Sequence, residues 1–302
     1  MVDLSRGTTG VVLPPEVSNQ IWQVTQEQSG VMRAATQIPL PGAGLTIPII
    51  TGDPVAAWVA ETNEKPVSRG TLSSKTMQAY TLAVIEPFSN QFRRDLPSLY
   101  QALVNRLPLA LAKQFDQTVF GLAAGAPGSN FDTLGAATAI GINGKTYNGL
   151  VAAQTAVATA TGDGELNGWV MSPQGAAVLT GAVDTQNRPL FPPTGQALGP
   201  TGIGSIFGAP VYKSRASYLA DADGAGAGTD KQYGYAGDWS QAYYGTVEGI
   251  QISISEEATL NDGGTSLNLW QRNMFAVRAE IEVGFRIRDI AYFTKLTSAT
   301  QA

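Results

Sequence analysis

One long alternating stretch near the C-terminal end constrains the fold more than any other part of the chain. From Asn273 to Leu296 the sequence reads NMFAVRAEIEVGFRIRDIAYFTKL. Apolar side chains fill every second position from Phe275 to Ile287, and most charges of the stretch fall on the intervening positions from Ala276 to Arg288. Because side chains alternate between the two faces of a strand, this pattern predicts a long strand with one face on a core and one polar face.

The charges on that polar face need partners, and the rest of the chain offers few. Only 14% of the residues are charged, whereas ordinary soluble domains have about 25%. The charges of the strand therefore face solvent, pair within the sheet or meet another subunit. A surface that avoids charge favours extensive protein–protein contact, because the centres of interfaces are depleted in charge. A weakly charged monomer is the alternative.

Composition excludes several classes of function. The chain has no Cys and no His, which removes disulfides, thiolate nucleophiles, the common zinc and haem sites and every His-dependent catalytic triad. A net charge of −5 argues against a dedicated nucleic-acid-binding protein. No apolar run approaches the roughly 18 residues of a membrane span, and the N-terminus lacks the pattern of a secretory signal. We expect a cytosolically made chain without metal or cofactor.

The remaining candidate chemical motifs are weak. The glycine-rich stretch at residues 199–208 has neither the GxGxxG spacing nor the GK[ST] ending of a nucleotide site. Asp221, Asp223 and Asp230 resemble a calcium loop only faintly, because no Glu stands at the twelfth position and the intervening residues include Ala and Gly. A hydrolase that uses two facing carboxylates stays an alternative, since the sequence does not show which acids face each other.

The strongest predicted helix runs from Ser98, its expected N-cap, to Leu122. Apolar residues recur in it every four positions: Leu99, Leu103, Leu107, Leu111, Phe115 and Val119. Four residues overshoot a full turn by about 40°, so the apolar stripe winds around the helix and predicts that the helix crosses several elements. Pro108 predicts a kink near Val104, because proline removes one backbone donor.

Shorter elements are predicted on both sides of this helix. In the N-terminal part they are a helix from Glu16 to Ala35 weakened by Gly30, an irregular connector over 38–50 that enters a short strand, and a two-stranded projection over 52–86 with a polar tip from Glu61 to Ser74. After the long helix they are a helix from Gly149 to Thr161, a strand from Trp169 to Met171, a helix capped by Ser172, a strand within 205–215, strands broken by Gly237 and Gly245 and a polar loop over 259–272. A two-stranded hairpin is marginally stable alone, so we expect the projection to rest on a neighbour.

Several segments carry a resemblance to a known family through their order. They are LPPEVSNQIWQVTQEQSGVMRAATQIPLPG, WVAETNEKPVSRGTLSSKTMQAYTLAVIEPFSNQFRRDLP, MSPQGAAVLTGAVDTQNRPLF, FGAPVYKS, AGDWSQAYYG and NMFAVRAEIEVGFRIRDIAYFTKL. In this order they resemble the arm, extended E-loop, axial domain and closing strand of tailed-phage major capsid proteins with the HK97 fold. No long charged helical segment precedes the arm, so the resemblance implies that a scaffold is encoded separately or not used.

The resemblance implies an α+β, HK97-like capsid fold. Its expected parts are an N-terminal arm with the first helix at 1–47, the E-loop at 48–87, a peripheral domain at 88–148 and 247–302 with the spine helix at 98–122, and an axial domain at 149–246.

The implied function is structural rather than enzymatic. The chain is expected to assemble as hexamers and pentamers into an icosahedral capsid around the double-stranded DNA genome of a phage, in the host cytoplasm, and to reside in the virion. Implied partners are further copies of the chain, a separate scaffolding protein, a portal, a decoration protein and DNA bound without sequence specificity, with no membrane. An encapsulin-like nanocompartment shell is the alternative within the same fold.

Two sets of residues follow as candidate sites. Some members of the family cross-link their subunits through a Lys–Asn isopeptide bond assisted by a Glu, and the matching positions are Lys65, Asn273 and Glu280. On a continuous strand Asn273 and Glu280 lie about 23 Å apart on opposite faces, so several subunits would have to form the site. In the alternative, Lys65 forms a salt bridge or faces water and Asn273 caps a turn.

The predicted inter-subunit contact residues are Trp58, Glu61, Arg278, Glu282, Arg286 and Arg288; Trp58 is an expected anchor because Trp is enriched in contact hot spots.

Overall fold

The computed structural model describes most of the chain as a mixed α+β protein. The described ranges are 29–52, 54–61, 63–90, 97–122, 125–161, 164–184, 186–191, 204–220 and 231–300. The predicted arm, most of the predicted first helix and the calcium-like loop at 221–230 lie outside the described residues. The described strands form two larger sheets and two two-stranded sheets.

The described helices and strands are numbered here in chain order. The helices are α1 (Gly30–Ala34), α2 (Pro97–Val119), α3 (Thr146–Thr161) and α4 (Pro173–Thr180). The strands are β1 (Thr36–Pro39), β2 (Leu45–Gly52), β3 (Thr71–Met77), β4 (Tyr80–Ser89), β5 (Thr138–Asn143), β6 (Gly168–Met171), β7 (Ser205–Ile206), β8 (Ala209–Lys213), β9 (Gln232–Gly237), β10 (Ala242–Thr246), β11 (Gln251–Ser255), β12 (Thr259–Asp262), β13 (Thr265–Asn268), β14 (Met274–Ile287) and β15 (Phe293–Thr300).

Strand β14 is the central strand of the five-stranded sheet. It pairs antiparallel with β4 along one edge and with β11 and β10 along the other, and β1 extends the sheet by pairing parallel with β10. The predicted apolar positions of β14, from Phe275 to Ile287, are all buried. The alternating pattern therefore identified the core face of this sheet correctly.

The prediction of one strand from Asn273 to Leu296 is wrong beyond Ile287. Asp289 ends the alternation by accepting a hydrogen bond from the backbone N–H of Ala291, and a short 3-10 turn, Ile290–Tyr292, follows. Strand β15 then enters the second sheet, whose order is β5-β15-β9-β6-β8-β7. One continuous stretch of sequence thus supplies a strand to each of the two larger sheets.

Helix α2 crosses two hydrophobic cores, as its winding apolar stripe predicts. Leu107 and Leu111 pack with the apolar side chains of β11 and the first half of β14. Phe115 and Val119 pack in a second core with the last residues of β14 and with β9 and β10. The helix is assigned continuously through Pro108, and the predicted kink stays a prediction.

Other sequence predictions hold in part. The two-stranded projection is confirmed as a hairpin, with Leu45 opposite Met77, although its strands are β2 and β3, and β4 belongs to the five-stranded sheet. Ser172 caps α4 as predicted. The connector over 38–50 enters a strand, β2, as predicted, but its first residues belong to β1, and α3 starts at Thr146, before Gly149. The predicted domain boundaries stay a prediction; β5 and β15 share one sheet with β6, β8 and β9.

Three further predictions are wrong in detail because glycine turns were underestimated. The polar loop at 259–272 contains a hairpin, β12–β13, which turns at Gly263 and Gly264 with φ of 56° and 91°, the backbone that a tight two-residue turn requires. The single strand expected within 205–215 is the hairpin β7–β8. Gly245 does not break a strand; it lies inside β10.

Of the predicted helix from Glu16 to Ala35 the structure describes residues 29–35, and in this range the helix begins only after Ser29. This residue is extended, with φ of −78° and ψ of 122°, and its side chain caps α1 by accepting from the N–H of Met32. The Ser29 hydroxyl itself donates to the carboxylate of Asp116 on α2, over 2.5 Å. Gly30 fits here because a Cβ would lie 2.7 Å from the Cβ of Ser214.

Asp116 is a fully buried carboxylate that joins three parts of the chain. Its oxygens accept from the hydroxyls of Ser29 and Ser214, over 2.5 and 2.6 Å, and from the backbone N–H groups of Gly30 and Val31, over 2.9 and 3.4 Å. Burial raises the pKa of Asp116 from 3.8 to about 6, against the lowering effect of these hydrogen bonds. Desolvation thus outweighs the four donors.

The raised pKa predicts an unusual pH dependence of stability. Because the folded state binds this proton more tightly than the unfolded state, Asp116 lowers the free energy of unfolding as pH rises from about 4 to about 6. The shift from 3.8 to about 6 corresponds to about 3 kcal/mol. Denaturant unfolding at pH 4.5 and pH 7.5 should show about 2 kcal/mol of this loss in the native sequence relative to Asp116→Asn, which does not titrate, because part of the loss has already occurred at pH 4.5.

A matched variant separates this effect from general acid sensitivity. Asp289→Asn removes an exposed carboxylate that also caps a turn, and it should leave the pH slope of the native sequence unchanged. Parallel stability curves for the native sequence and Asp116→Asn would contradict the account.

Candidate inter-subunit interface

The most exposed apolar side chains of the described chain lie on a projecting hairpin, defined here as residues 45–77. Between its strands β2 and β3, every described side chain of residues 54–70 is exposed. Val55, Val67 and Leu72 are each at least three-quarters exposed, and Trp58 is fully exposed. The segment makes few contacts with the rest of its own chain; one of its bonds, from the N–H of Val55 to the hydroxyl of Ser68 over 2.7 Å, stays within the hairpin. Exposed apolar side chains concentrated in one segment indicate an interaction surface.

The base of the projecting hairpin, unlike its tip, is fixed to the five-stranded sheet. Lys75 on β3 donates through Nζ to the backbone carbonyl of Ile287, over 2.9 Å, and lies 3.4 Å from the carboxylate of Asp132. Arg286 on β14 donates through Nε to the backbone carbonyl of Thr76, over 2.8 Å. The direction in which the hairpin leaves the subunit is therefore set by contacts at Lys75 and Thr76.

Asp132 is the central acceptor of this base. Its Oδ1 accepts from Nη1 of Arg286 over 2.7 Å, and its Oδ2 accepts from the backbone N–H of Ile287 over 3.1 Å as well as from Lys75. Hydrogen bonds between charged groups are shorter and stronger than neutral ones. One carboxylate thus ties the hairpin to the end of β14.

These contacts occur where β14 loses its neighbouring strand. The last pair between β14 and β4 is Val283 with Tyr80, so the edge of β14 beyond Val283 has no strand on that side. The N–H of Asp132 donates to the carbonyl of Phe285 over 3.1 Å, and the Asp132 and Lys75 side chains bind the N–H and C=O of Ile287. Side chains and one loop residue replace the missing strand, because buried backbone groups need partners.

Arg286 uses its remaining donors on the same loop. Its Nη2 donates to Oδ1 of Asn130 over 2.8 Å and to the carbonyl of Ser129 over 3.3 Å. The Arg286 side chain is only 9% exposed. Residue 284 has to be glycine here, since a Cβ would lie 2.5 Å from the carbonyl oxygen of Gln78.

Comparison with known proteins identifies the class of molecule. The chain matches the model of the phage capsid family over residues 9–298. The chain belongs to the phage capsid family. Its HK97-like fold, predicted from the order of its segments, is therefore confirmed, and it is a structural major capsid protein rather than an enzyme.

Individual relatives agree with this assignment. The chain is 31% identical over 301 residues to the probable major capsid protein gp17 of Mycobacterium phage D29, covering 95% of this chain and 90% of that protein. A solved structure from Mycobacterium phage Ogopogo has a TM-score of 0.73 at 20% identity, covering 90% and 92% of the two chains. A solved structure of the capsid of a native GTA particle, computed with C5 symmetry, has a TM-score of 0.62 at 14% identity, covering 99% and 95%.

The charged side chains of β14, and of Arg288 just after it, have different surroundings in this capsid subunit. Arg278 pairs with Glu280 on its own strand, over 3.2 Å, and donates to Ser253; a half-exposed pair of this kind contributes under about 1 kcal/mol. Arg288 lies over the ring of Tyr292, at 5.2 Å, and Glu282 is exposed.

The inter-subunit roles predicted for Trp58, Glu61, Arg278, Glu282 and Arg288 stay predictions. For Arg286 the geometry favours a role inside the subunit, because its guanidinium is bound to Thr76, Ser129, Asn130 and Asp132. Sequence reasoning missed Asp132, which lies in a loop where no periodic pattern marks it.

The three residues predicted for cross-linking occupy different surroundings. Lys65 is exposed on the projecting hairpin. Asn273 precedes β14 with φ of 54°, and it is bonded to Asn90 by two contacts: the Asn90 amide donates to its Oδ1 over 3.0 Å and the Asn90 N–H to its carbonyl over 2.9 Å. Asn273 thus lies in a turn and Glu280 is paired with Arg278, and the cross-linking role of the three residues stays a prediction.

Among the described residues, no group of three or more acidic side chains is arranged to hold a metal ion. None of the described helices combines the length and apolar character that crossing a membrane requires.

The position of Asp132 predicts a large effect on stability. Asp132→Asn keeps the shape of the side chain but leaves the buried guanidinium of Arg286 without a charged partner. We expect the free energy of unfolding to fall by about 2–3 kcal/mol, since breaking a buried ion pair is strongly destabilising. Denaturant unfolding measures this.

The control is Asp184→Asn, which removes the carboxylate of an exposed pair with Arg188, 3.0 Å apart. It should change the free energy of unfolding little. Equal effects of the two substitutions would contradict the role assigned to Asp132.

Proposed function

We propose that this capsid subunit assembles as hexamers and pentamers into an icosahedral shell that encloses the double-stranded DNA genome of a phage. The observation that carries the proposal is the projecting hairpin, whose base is fixed by Asp132 and Arg286 and whose tip exposes Trp58. Membership of the phage capsid family supports it. The fivefold symmetry of the structurally similar GTA capsid supports rings of five.

A neighbouring subunit supplies the packing partner that the exposed apolar side chains of the hairpin lack. A two-stranded hairpin is marginally stable in water, and this one carries exposed Val55, Trp58, Val67 and Leu72. Contact with the next subunit buries this apolar surface and stabilises both the hairpin and the shell. Trp58 and Glu61 are the proposed contact residues at the tip.

The low net charge fits the contents of the shell. With a net charge of −5 the subunit repels DNA weakly and does not bind it tightly. Packaged DNA is therefore held without sequence-specific contacts. The proposed partners are a separate scaffolding protein, a portal and a decoration protein, with assembly in the host cytoplasm. An encapsulin-like shell is the rival, and it would contain protein cargo in place of DNA.

Shortening the hairpin tests this proposal. Replacing residues 53–70 by Asn-Gly joins Gly52 to Thr71 through a tight turn that matches their pairing in the native hairpin. The variant should fold with the thermal stability of the native subunit, because the contacts of Lys75 and Arg286 remain. Electron microscopy of particles from infected or scaffold-supplemented cells should show shells formed by the native sequence. The shortened variant should form no shells.

The control is Val183→Ser, which removes a half-exposed apolar side chain far from the hairpin in sequence and should assemble normally. Shells of native heat resistance from the shortened variant would show that the hairpin tip does not hold subunits together. Native particles that contain protein cargo and no DNA would favour the encapsulin-like alternative.

Covalent cross-linking between subunits is a finer part of the proposal. Lys65 is exposed at the tip and Asn273 is exposed beside β14, so a Lys65–Asn273 isopeptide bond joins two chains, with Glu280 of a further chain taking the proton from the amine. The bond forms by attack of the neutral amine on the Asn amide with loss of ammonia.

A denaturing gel of mature particles measures this directly. We expect multiples of the 31.6 kDa chain that disappear in Lys65→Arg and in Asn273→Asp particles; aspartate also tolerates the positive φ of residue 273. A single band at the monomer position from native particles would refute cross-linking and leave shell assembly untouched.

A further inference from the structure

A cleft of about 270 Å³ lies between β4, α2 and the loop at 125–131. Its lining includes the apolar residues Leu82, Phe115 and Phe131, together with Tyr80, Thr81 and Thr118. An apolar cavity of about 150 Å³ holds a benzene ring, so this cleft has room for one large aromatic side chain.

The cleft is shaped by the same loop that fixes the projecting hairpin. Gly128 lets Tyr80 lie close, since a Cβ would meet the Tyr80 hydroxyl at 2.3 Å, and the N–H of Asn130 donates to that hydroxyl over 3.3 Å. The ring of Phe131 packs edge-on against Tyr80, with centroids 6.2 Å apart. Asp132, the next residue, binds the hairpin base through Arg286 and Lys75.

The hairpin of the same chain does not fill this cleft, because Trp58 is fully exposed in the structure. Strand β3 runs from its base at Met77 to Thr71, six residues or about 20 Å in an extended strand. Trp58 lies beyond Thr71, in the segment that joins the two strands of the hairpin.

We propose that Trp58 of one subunit inserts into the cleft between β4 and α2 of a second copy of this chain. The inference rests on the proposed function, which supplies the neighbouring copy. A fully exposed Trp and an apolar cleft at separate places on one chain make a head-to-tail contact, which closes into a ring when the rotation between copies allows it.

The cleft also suits the polar part of the indole. The indole N–H of Trp needs an acceptor when buried, and Thr118, one of the residues that line the cleft, offers its hydroxyl oxygen. Thr118 already donates to the carbonyl of Gln114 over 2.8 Å, which leaves its oxygen free to accept. The loop at 128–132 thus orients the hairpin of its own subunit. The same loop shapes the cleft into which the hairpin of another subunit is proposed to insert.

Paired cysteines test this contact cleanly, because the chain contains no native Cys. Ala57→Cys beside Trp58 is combined with Thr118→Cys at the cleft, and assembled particles are treated with a short bismaleimide. We expect most chains to move from the 31.6 kDa band to dimers and higher multiples. Adding Trp58→Ser should lower the cross-linked fraction at least fivefold.

The control pair is Ala57→Cys with Thr155→Cys. Thr155 is matched to Thr118, because it lies on a helix and its hydroxyl donates to the carbonyl four residues earlier, over 2.9 Å. This pair should remain monomeric on the gel. Two results, obtained from shells that form normally, would overturn the proposed contact between Trp58 and the cleft: equal cross-linking from both cysteine pairs, or no cross-linking from the cleft pair. In either case the proposed shell function stands.

A photo-reactive amino acid at position 118 identifies the occupant independently. Peptide mapping of irradiated shells should recover residues 54–70 attached to position 118. Attachment of any other segment, including residues 1–28, or of a different protein would overturn the assignment of Trp58 to the cleft. Failure to form any particle, with all variants folded, would count against the proposed function itself.

Discussion

The contact between Arg286 and Asp132 is the interaction on which the rest of the arrangement depends. It exists because β4 stops pairing with β14 after Val283, while β14 continues to Ile287. The unpaired end of β14 needs partners for its backbone, and a carboxylate held by a buried arginine provides them. Strand β3 of the hairpin is bound to the same two residues, Asp132 and Arg286. The contacts that complete the edge of β14 therefore also set the direction in which the hairpin projects.

The subunit separates stability from assembly. Its cores lie under β14, along α2 and around the second sheet, and Asp116 joins α2 to α1 and to the turn at Ser214 without any exposed surface. The apolar groups of the hairpin tip contribute nothing to these cores. Under the proposed function, the exposed hairpin is the assembly surface, and it becomes covered only when a neighbouring subunit binds.

Sequence patterns predicted the elements that depend on periodicity and one helix cap, at Ser172, but missed other features that depend on single contacts. The alternation of β14 and the four-residue repeat of α2 identified buried faces correctly. The break after Ile287 and the cap at Ser29 escaped prediction, because each rests on one polar side chain. Arg286 was placed with the charges of the polar face, whereas Asp132, 154 residues earlier in the chain, makes it a buried structural residue; only the folded chain brings the two together.

A cryo-electron microscopy reconstruction of assembled particles tests the central claim most directly. The account predicts that each hairpin leaves its subunit at the Asp132–Arg286 contact and crosses onto the next copy, with density for Trp58 between Tyr80 and Phe115 of that copy. Hairpins that stand free in solvent, or that lie on a different surface of the neighbour, would contradict it.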